Sequence, residues 1–262
     1  MRLLAAHADE GFTITEIGRR LRLNKATFYP MVVALTEAGW LLRDPATKTY
    51  RLGPELITLG EAASRSLPAV PLARPAMVEL ATELGVTCAA FTASDGVVTL
   101  ADQVWDVRST VQPLHVGLWA PVRAPYSAVF VAWDDDALHD WLGVVTPEAE
   151  RRYLAAIRAT RERGYVVELR MPPREPVTGT ASVAALMPMD PADEPSFLLA
   201  ALDKARTYAV GTIEAPVFDA LRRVVISLVL VGLPGSMTGS EIDAYGQRLV
   251  AAARGVSEAL RY

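Results

Sequence analysis

The residues best suited to chemistry lie between positions 24 and 53, and the chemistry they suit is contact with nucleic acid. Lys25, Ala26, Thr27 and Tyr29 follow Asn24 at the head of a periodic apolar segment, and Arg43, Lys48 and Arg51, with Thr47 and Thr49 among them, flank Asp44-Pro45. Clustered cationic and hydroxyl side chains bind phosphate oxygens, which fixes a protein on a duplex without reading its sequence. Base reading falls to the exposed residues near a helix start, here Lys25, Ala26, Tyr29 and, further in, Val33. No Arg, Asn or Gln stands in the exposed middle of this segment to make bidentate base contacts. Apolar contact with thymine methyls and duplex shape must therefore contribute to specificity. The plainer alternative is that Lys25, Arg43, Lys48 and Arg51 are solvated surface charges.

Catalytic chemistry is not legible. His7, His115 and His139 fall in separate segments. Cys88, inside the apolar run VTCAAF, reads as a small buried residue rather than a nucleophile. Asp134-Asp135-Asp136 suits an acidic helix start better than a metal site. The sequence holds no Gly-x-Ser-x-Gly elbow, phosphate loop or dinucleotide fingerprint, and no His/Cys cluster at metal-ligand spacing. No catalytic residue, metal ligand or cofactor is assigned.

Placing the basic residues requires a helix-turn-helix and a wing. Arg2 to Ala8 forms the first helix. TITEIGRRLRL forms the second, with Thr15 as its N-cap, Glu16 in the first turn, and Ile17 and Leu21 on one face. Asn24 caps the longer third helix, whose buried stripe is Phe28, Val32 and Leu35 and whose stop is Gly39. Gly18 lies inside the second helix and Pro30 inside the third, costing about 1 and about 3 kcal/mol respectively in a regular helix. Pro30 implies either a kinked helix or one that starts nearer Thr27. Beyond Gly39 the period changes to that of strands: Trp40, Leu42, Tyr50 and Leu52 are expected on the inner face of a hairpin. Arg43, Thr47, Lys48, Thr49 and Arg51 then point outward.

From Pro54 a linker helix carries Leu56, Leu59, Ala63 and Leu67, until the stretch from Leu67 to Pro71 breaks it. A further helix runs over 72–84. VTCAAFTASDGVVTLADQV reads as two strands around an Asp95-Gly96 turn. Strands are expected over 109–116, 165–169, 181–187, 208–217 and 224–231, and helices over 126–133, 135–142, 147–164 and 239–262. Pro172, Pro173, Pro176, Pro188, Pro191 and Pro195 mark irregular insertions. The order implies an α+β chain with an antiparallel or mixed sheet flanked by helices. Val210, Thr212 and Glu214 alternate onto one strand face, where Glu214 either lines a cavity or meets solvent.

The chain has 262 residues, 51% apolar and 21% charged, as expected of one large or two smaller folded domains. No apolar run nears the roughly 20 residues of a membrane span, and MRLLAAHADEG lacks a signal-peptide core. With a single cysteine, this points to a cytoplasmic protein without membrane contact. Net charge is −4, but residues 1–66 hold nine Lys or Arg against seven Asp or Glu, so the acidity resides in the remainder. A weakly basic head on an acidic body suits a DNA reader attached to another domain. So small a positive charge requires two copies on a two-part operator.

Taken together, LNKATFYPMVVALTEAGWLLRDPATKTYRLGPELITLG, ARPAMVELATELG, GLWAPVRAPYSAVFVAW and IEAPVFDALRRVVISLVLVG resemble the IclR family of bacterial transcriptional regulators over nearly the whole chain. The resemblance implies a winged helix-turn-helix over 1–53, a linker over 54–71 and a GAF-like effector-binding domain over 72–262. It implies a homodimer or tetramer that binds double-stranded operator DNA under the control of a small organic effector. Positions matching the family's effector site are Trp119, Ala120, Tyr126, Thr212 and Glu214. Trp119 and Tyr126 are suited to wall an apolar ligand, or else simply fill the core. Ala128 and Val129 stand where many relatives have glycine and lysine, which implies a diverged site. The competing readings are a winged helix used for protein contact, with DNA binding lost, and a ligand-processing enzyme with an accessory winged helix.

Overall fold

The computed structural model describes residues 1–5, 7, 9–65, 67–170 and 197–261. The strand expected over 181–187 and the proline-marked segment around it lie outside the described residues. The chain folds as two compact units, with the boundary between Ser66 and Leu67.

The N-terminal unit opens with α1 (Arg2–Ala5), β1 (Phe12–Thr13), α2 (Ile14–Leu21) and α3 (Lys25–Glu37). The cap of α2 is Thr13, not the expected Thr15: the Thr13 hydroxyl accepts from Glu16 N–H while the Glu16 carboxylate accepts from Thr13 N–H. This reciprocal pair needs a spacing of three residues, which Thr15 does not have to Glu16. Asn24 caps α3 by accepting from Ala26 N–H at 2.9 Å. The helix begins at Lys25 and runs through Pro30 rather than starting nearer Thr27. It ends in a Schellman motif, with Gly39 at φ +73°, Trp40 N–H on Leu35 O and Gly39 N–H on Thr36 O.

That motif resets the hairpin β2 (Leu41–Arg43) and β3 (Thr49–Leu52). Trp40 is spent on the helix end, so the first inward strand residue is Leu41, paired with Leu52. Leu41 and Tyr50 are buried, whereas Trp40 and Leu42 are exposed, so the inner face expected of Trp40 and Leu42 is displaced by one residue. β1 adds a third strand against β3. Leu4, Phe12, Ile17, Phe28, Val32, Leu41 and Tyr50 form the core of the unit. Gly18 has a steric reason: a Cβ there would stand 2.9 Å from the Phe28 ring, so glycine lets α2 and α3 close on each other. The linker helix α4 (Glu55–Arg65) follows.

The second unit is built on a six-stranded antiparallel sheet. In chain order its elements are α5 (Ala69–Leu84), β4 (Thr87–Ser94), β5 (Val97–Val104), β6 (Trp119–Pro121), α6 (Ala128–Val131), α7 (Asp135–Leu142), α8 (Pro147–Arg163), β7 (Val166–Leu169), β8 (Thr207–Tyr208), β9 (Val210–Phe218), β10 (Val224–Val231), β11 (Met237–Thr238) and α9 (Gly239–Ala259). The sheet order is β6-β5-β4-β10-β9-β7, and β8 pairs with β11 apart from it. One face packs on α5 and α9 through Met77, Leu80, Ile213, Leu228, Leu230 and Leu249. α6 packs against β9 and β10, and the apolar cluster of α6 to α8 reaches the sheet at Val166.

Three expectations meet the structure here. α5 starts at Ala69, because Pro71 falls in its first turn, where an N–H has no helical partner in any case. The Asp95-Gly96 turn forms as read, with both residues at positive φ. The strand expected over 109–116 is absent. That segment is held instead by side chains: Gln103 accepts from Leu114 N–H, Trp105 Nε1 donates to Val111 O, and Thr87 donates to Ser109. The free edge of β5 is taken by Trp119–Pro121.

Candidate functional site

The nucleic-acid candidates gather on the N-terminal unit. Ala26, Thr27 and Tyr29 are exposed on α3, and Tyr29 keeps 48% of its surface. Lys25 is the first residue of α3. Across from this helix the wing turn is tied by Asp44, whose carboxylate accepts from Ala46 N–H and Thr47 N–H. These bonds hold its pKa below the ordinary value. Lys48 closes the turn in the left-handed region at φ +57°. Between helix and wing lies a groove of about 680 Å³, lined by Thr15, Tyr29, Val33, Arg43, Thr47 and Lys48 among others. Arg43 and Lys48 thus share a concavity with Tyr29. Arg51 does not: it pairs with Leu42 on the other face of the hairpin. The expected wing cluster is therefore two separate cationic faces.

The exposed middle of α3 is apolar. Met31 keeps 64% of its surface, and Pro30 is exposed beside it. Because proline has no N–H, the Ala26 carbonyl loses its helical donor, at a position open to water.

The sensing candidates lie in the second unit and divide across its sheet. Strand register places Ala120 beside Val98 and Trp119 beside Thr99. Thr99 pairs with Thr92, and Thr92 with Ile226 of the core under α5 and α9. Trp119 therefore lies on the side of the sheet that carries α5 and α9, while Ala120 lies on the opposite side. On that opposite side lie Val166, Glu214, Val229 and Ala89, in successive cross-strand pairs. Tyr126 belongs to the cluster that includes Val166, and its ring meets Phe197 edge to face at 5.2 Å. The structure thus brings Ala120, Tyr126, Thr212 and Glu214 to one side and turns Trp119 to the other.

Val210 does not share the Thr212 and Glu214 face. The pairing of β7 with β9 skips Gly211, and Val210 joins the core with Ile213, Ala215 and Val217. One extra residue in a strand inverts its alternation, which carries Thr212 and Glu214 away from that core. Glu214 is 9% exposed, so it does not meet solvent as a surface charge.

Sequence reading missed two residues of this face. Glu168 on β7 is buried and pairs with Thr212, whose hydroxyl donates to Glu168 Oε2 at 2.9 Å and lies 3.4 Å from Glu214 Oε1. Burial pushes Glu168 well above the ordinary carboxylate range, and the Glu214 charge adds to the shift. Burial pushes Glu214 up to about 7, with the Thr212 hydroxyl opposing. Ser227, paired with Pro216 and Phe91 on the same face, is 1% exposed and its hydroxyl has no hydrogen-bond partner among the described residues. A glutamate inside VVEL, alternating with Val166, was the available signal for Glu168. Elsewhere, Cys88 is fully buried and its thiol is pushed up to about 12, so it stays protonated. Asp134 caps α7, accepting from Ala137 N–H at 3.0 Å, as its acidic run implied. Among the described residues no helix is long and apolar enough to cross a membrane.

Known proteins resemble this chain in both units. The family model of the IclR helix-turn-helix domain matches residues 1–45. No curated protein matches the chain closely enough to count as a relative. Among solved structures, an IclR transcriptional regulator from Alicyclobacillus acidocaldarius is 22% identical, with a TM-score of 0.68 over 99% of this chain and 96% of its own. HmgR from Pseudomonas aeruginosa is 20% identical, with a TM-score of 0.60 over 100% and 97%. An IclR homologue from Microbacterium hydrocarbonoxydans, solved with 4-hydroxybenzoate, is 16% identical, with a TM-score of 0.61 over 95% and 91%. The chain thus carries an IclR helix-turn-helix domain over residues 1–45, and along its length it shares the fold of these solved structures.

Proposed function

We propose that the chain is a transcriptional regulator that binds double-stranded operator DNA as a homodimer and releases or engages it in response to a small organic ligand. In this reading residues 1–53 bind DNA, 54–71 connect, and 72–262 sense. The observation that carries it is the groove in which Tyr29 of α3 faces Arg43 and Lys48 of the wing, within a domain matching the IclR helix-turn-helix. Groove geometry of this kind lets a helix enter the major groove while the wing grips phosphates. Dimerisation is supported by α4, where Ile57 and Leu59 keep 67% and 42% of their surface. Ligand sensing is supported by the polar face of Thr212, Glu214 and Glu168 and by the 4-hydroxybenzoate complex of the Microbacterium relative.

The test is a mobility shift with DNA from the protein's own promoter region, titrated across salt concentrations. Retardation of that DNA in preference to an unrelated duplex, weakening steeply with salt, is the expected result. Equal binding to both duplexes, or to neither, would hand the winged helix to protein contact. The exposed Pro30-Met31 surface of α3 is the feature that favours that second reading.

A further inference from the structure

We infer that the ligand of the sensing face is an organic ammonium, held between the carboxyl groups of Glu168 and Glu214, rather than an organic acid. The inference rests on the reading of that face as a sensor and deepens it by naming the ligand's charge.

The argument is one of donors and acceptors. Two buried carboxyls stand on neighbouring strands, and among the described residues the Thr212 hydroxyl is the one hydrogen-bond donor to either. Nor does any described residue offset them with a positive charge. β7 contributes Glu168 and β9 contributes Glu214, while β10 contributes Ser227 and Val229. The overlying α6 is Ala128, Val129, Phe130 and Val131. The guanidinium of nearby Arg170 is turned to the carbonyls of Val210 and Leu233. Buried acids without a cationic partner either retain a proton or acquire a cation from outside. An ammonium group supplies both missing elements, a positive charge and up to three N–H donors, and the carboxyl oxygens can accept them. A carboxylate ligand would instead add a third acidic group to two that already repel.

Binding should also displace a proton. At neutral pH burial and mutual repulsion keep the pair from being fully ionised. An ammonium ligand favours the ionised form, so its affinity rises with pH up to the point where the amine itself deprotonates.

The experiment is calorimetric titration of the full chain with matched sets of an amine, an alcohol and a carboxylate on one skeleton, such as 4-hydroxybenzylamine, 4-hydroxybenzyl alcohol and 4-hydroxybenzoate, and butylamine, butanol and butyrate. The expected result is amine binding at least tenfold tighter than either isostere, strengthening from pH 6 to pH 8. Glu168→Gln and Glu214→Gln should each lose tenfold or more of that affinity while melting no lower than wild type. Carboxylates binding as well as amines, no amine binding at all, or amine binding that both glutamine variants retain would overturn the inference. A separate arm repeats the promoter mobility shift with the tightest binder. Unchanged DNA affinity there would sink the sensor reading while leaving the assignment of ligand charge intact.

Discussion

On the wing, Arg43 and Lys48 line the groove under Tyr29, whereas Arg51 lies on the other hairpin face. Arg43→Ala is therefore expected to weaken promoter binding and to reduce the slope of log affinity against log salt by roughly one unit, with the melting temperature unchanged. Arg51→Ala should have a smaller effect in the same salt series. In the second unit, burial pushes the Glu214 carboxyl up to about 7, above its unfolded value. A carboxyl raised in this way favours the folded state fully below the unfolded pKa and progressively less as pH climbs through the folded one. Stability of the unit should then fall as pH climbs from about 4.5 through 7, where Glu214 and the coupled Glu168, both raised by burial, are driven toward ionisation. Glu214→Gln should flatten that decline, as read from denaturant melts at several pH values.

The next scale up is the helix and its ends. Gly18 and Pro30 both look like defects, yet they differ in kind. Gly18 is required by the approach of the Phe28 ring, so Gly18→Ala should destabilise the N-terminal unit by roughly 1–3 kcal/mol despite alanine's better helix propensity. Pro30 is exposed and its ring serves no packing in the core of Phe28 and Val32. Pro30→Ala restores an N–H to the Ala26 carbonyl and should stabilise α3 by roughly 1–3 kcal/mol, checked by the melting of the N-terminal unit. These elements were largely legible beforehand. The Asn24 cap, the Gly39 stop and the Asp95-Gly96 turn follow from local chemistry that needs no distant partner. The phase of alternation was less legible, because it depends on where a neighbouring element begins. The Schellman motif takes Trp40 out of the hairpin, and the skipped Gly211 turns Val210 to the other side of the sheet.

At the level of the whole molecule, the chain divides into two compact units at Ser66 and Leu67. Each has its own core, Phe28 and Tyr50 among the residues of one and Met77 and Leu230 among those of the other. A fragment of residues 67–262 is accordingly expected to fold cooperatively by circular dichroism and to retain ligand binding, with no affinity for promoter DNA. Loss of cooperative melting in that fragment would show that the second unit depends on the N-terminal one.

The amino-acid sequence by itself determined the helix-turn-helix, its wing and the α+β order of elements. Those rest on short-range periodicity, caps and turns. Only the tertiary structure decided which side chains share a surface. Glu168 and Glu214 are 46 positions apart, and their meeting depends on strand order, register and one skipped residue. Trp119, next to Ala120 in the chain, is separated from it by the thickness of the sheet. Side-chain proximity across a sheet is a long-range property, set by the pairing of strands and not by any residue's neighbours in sequence.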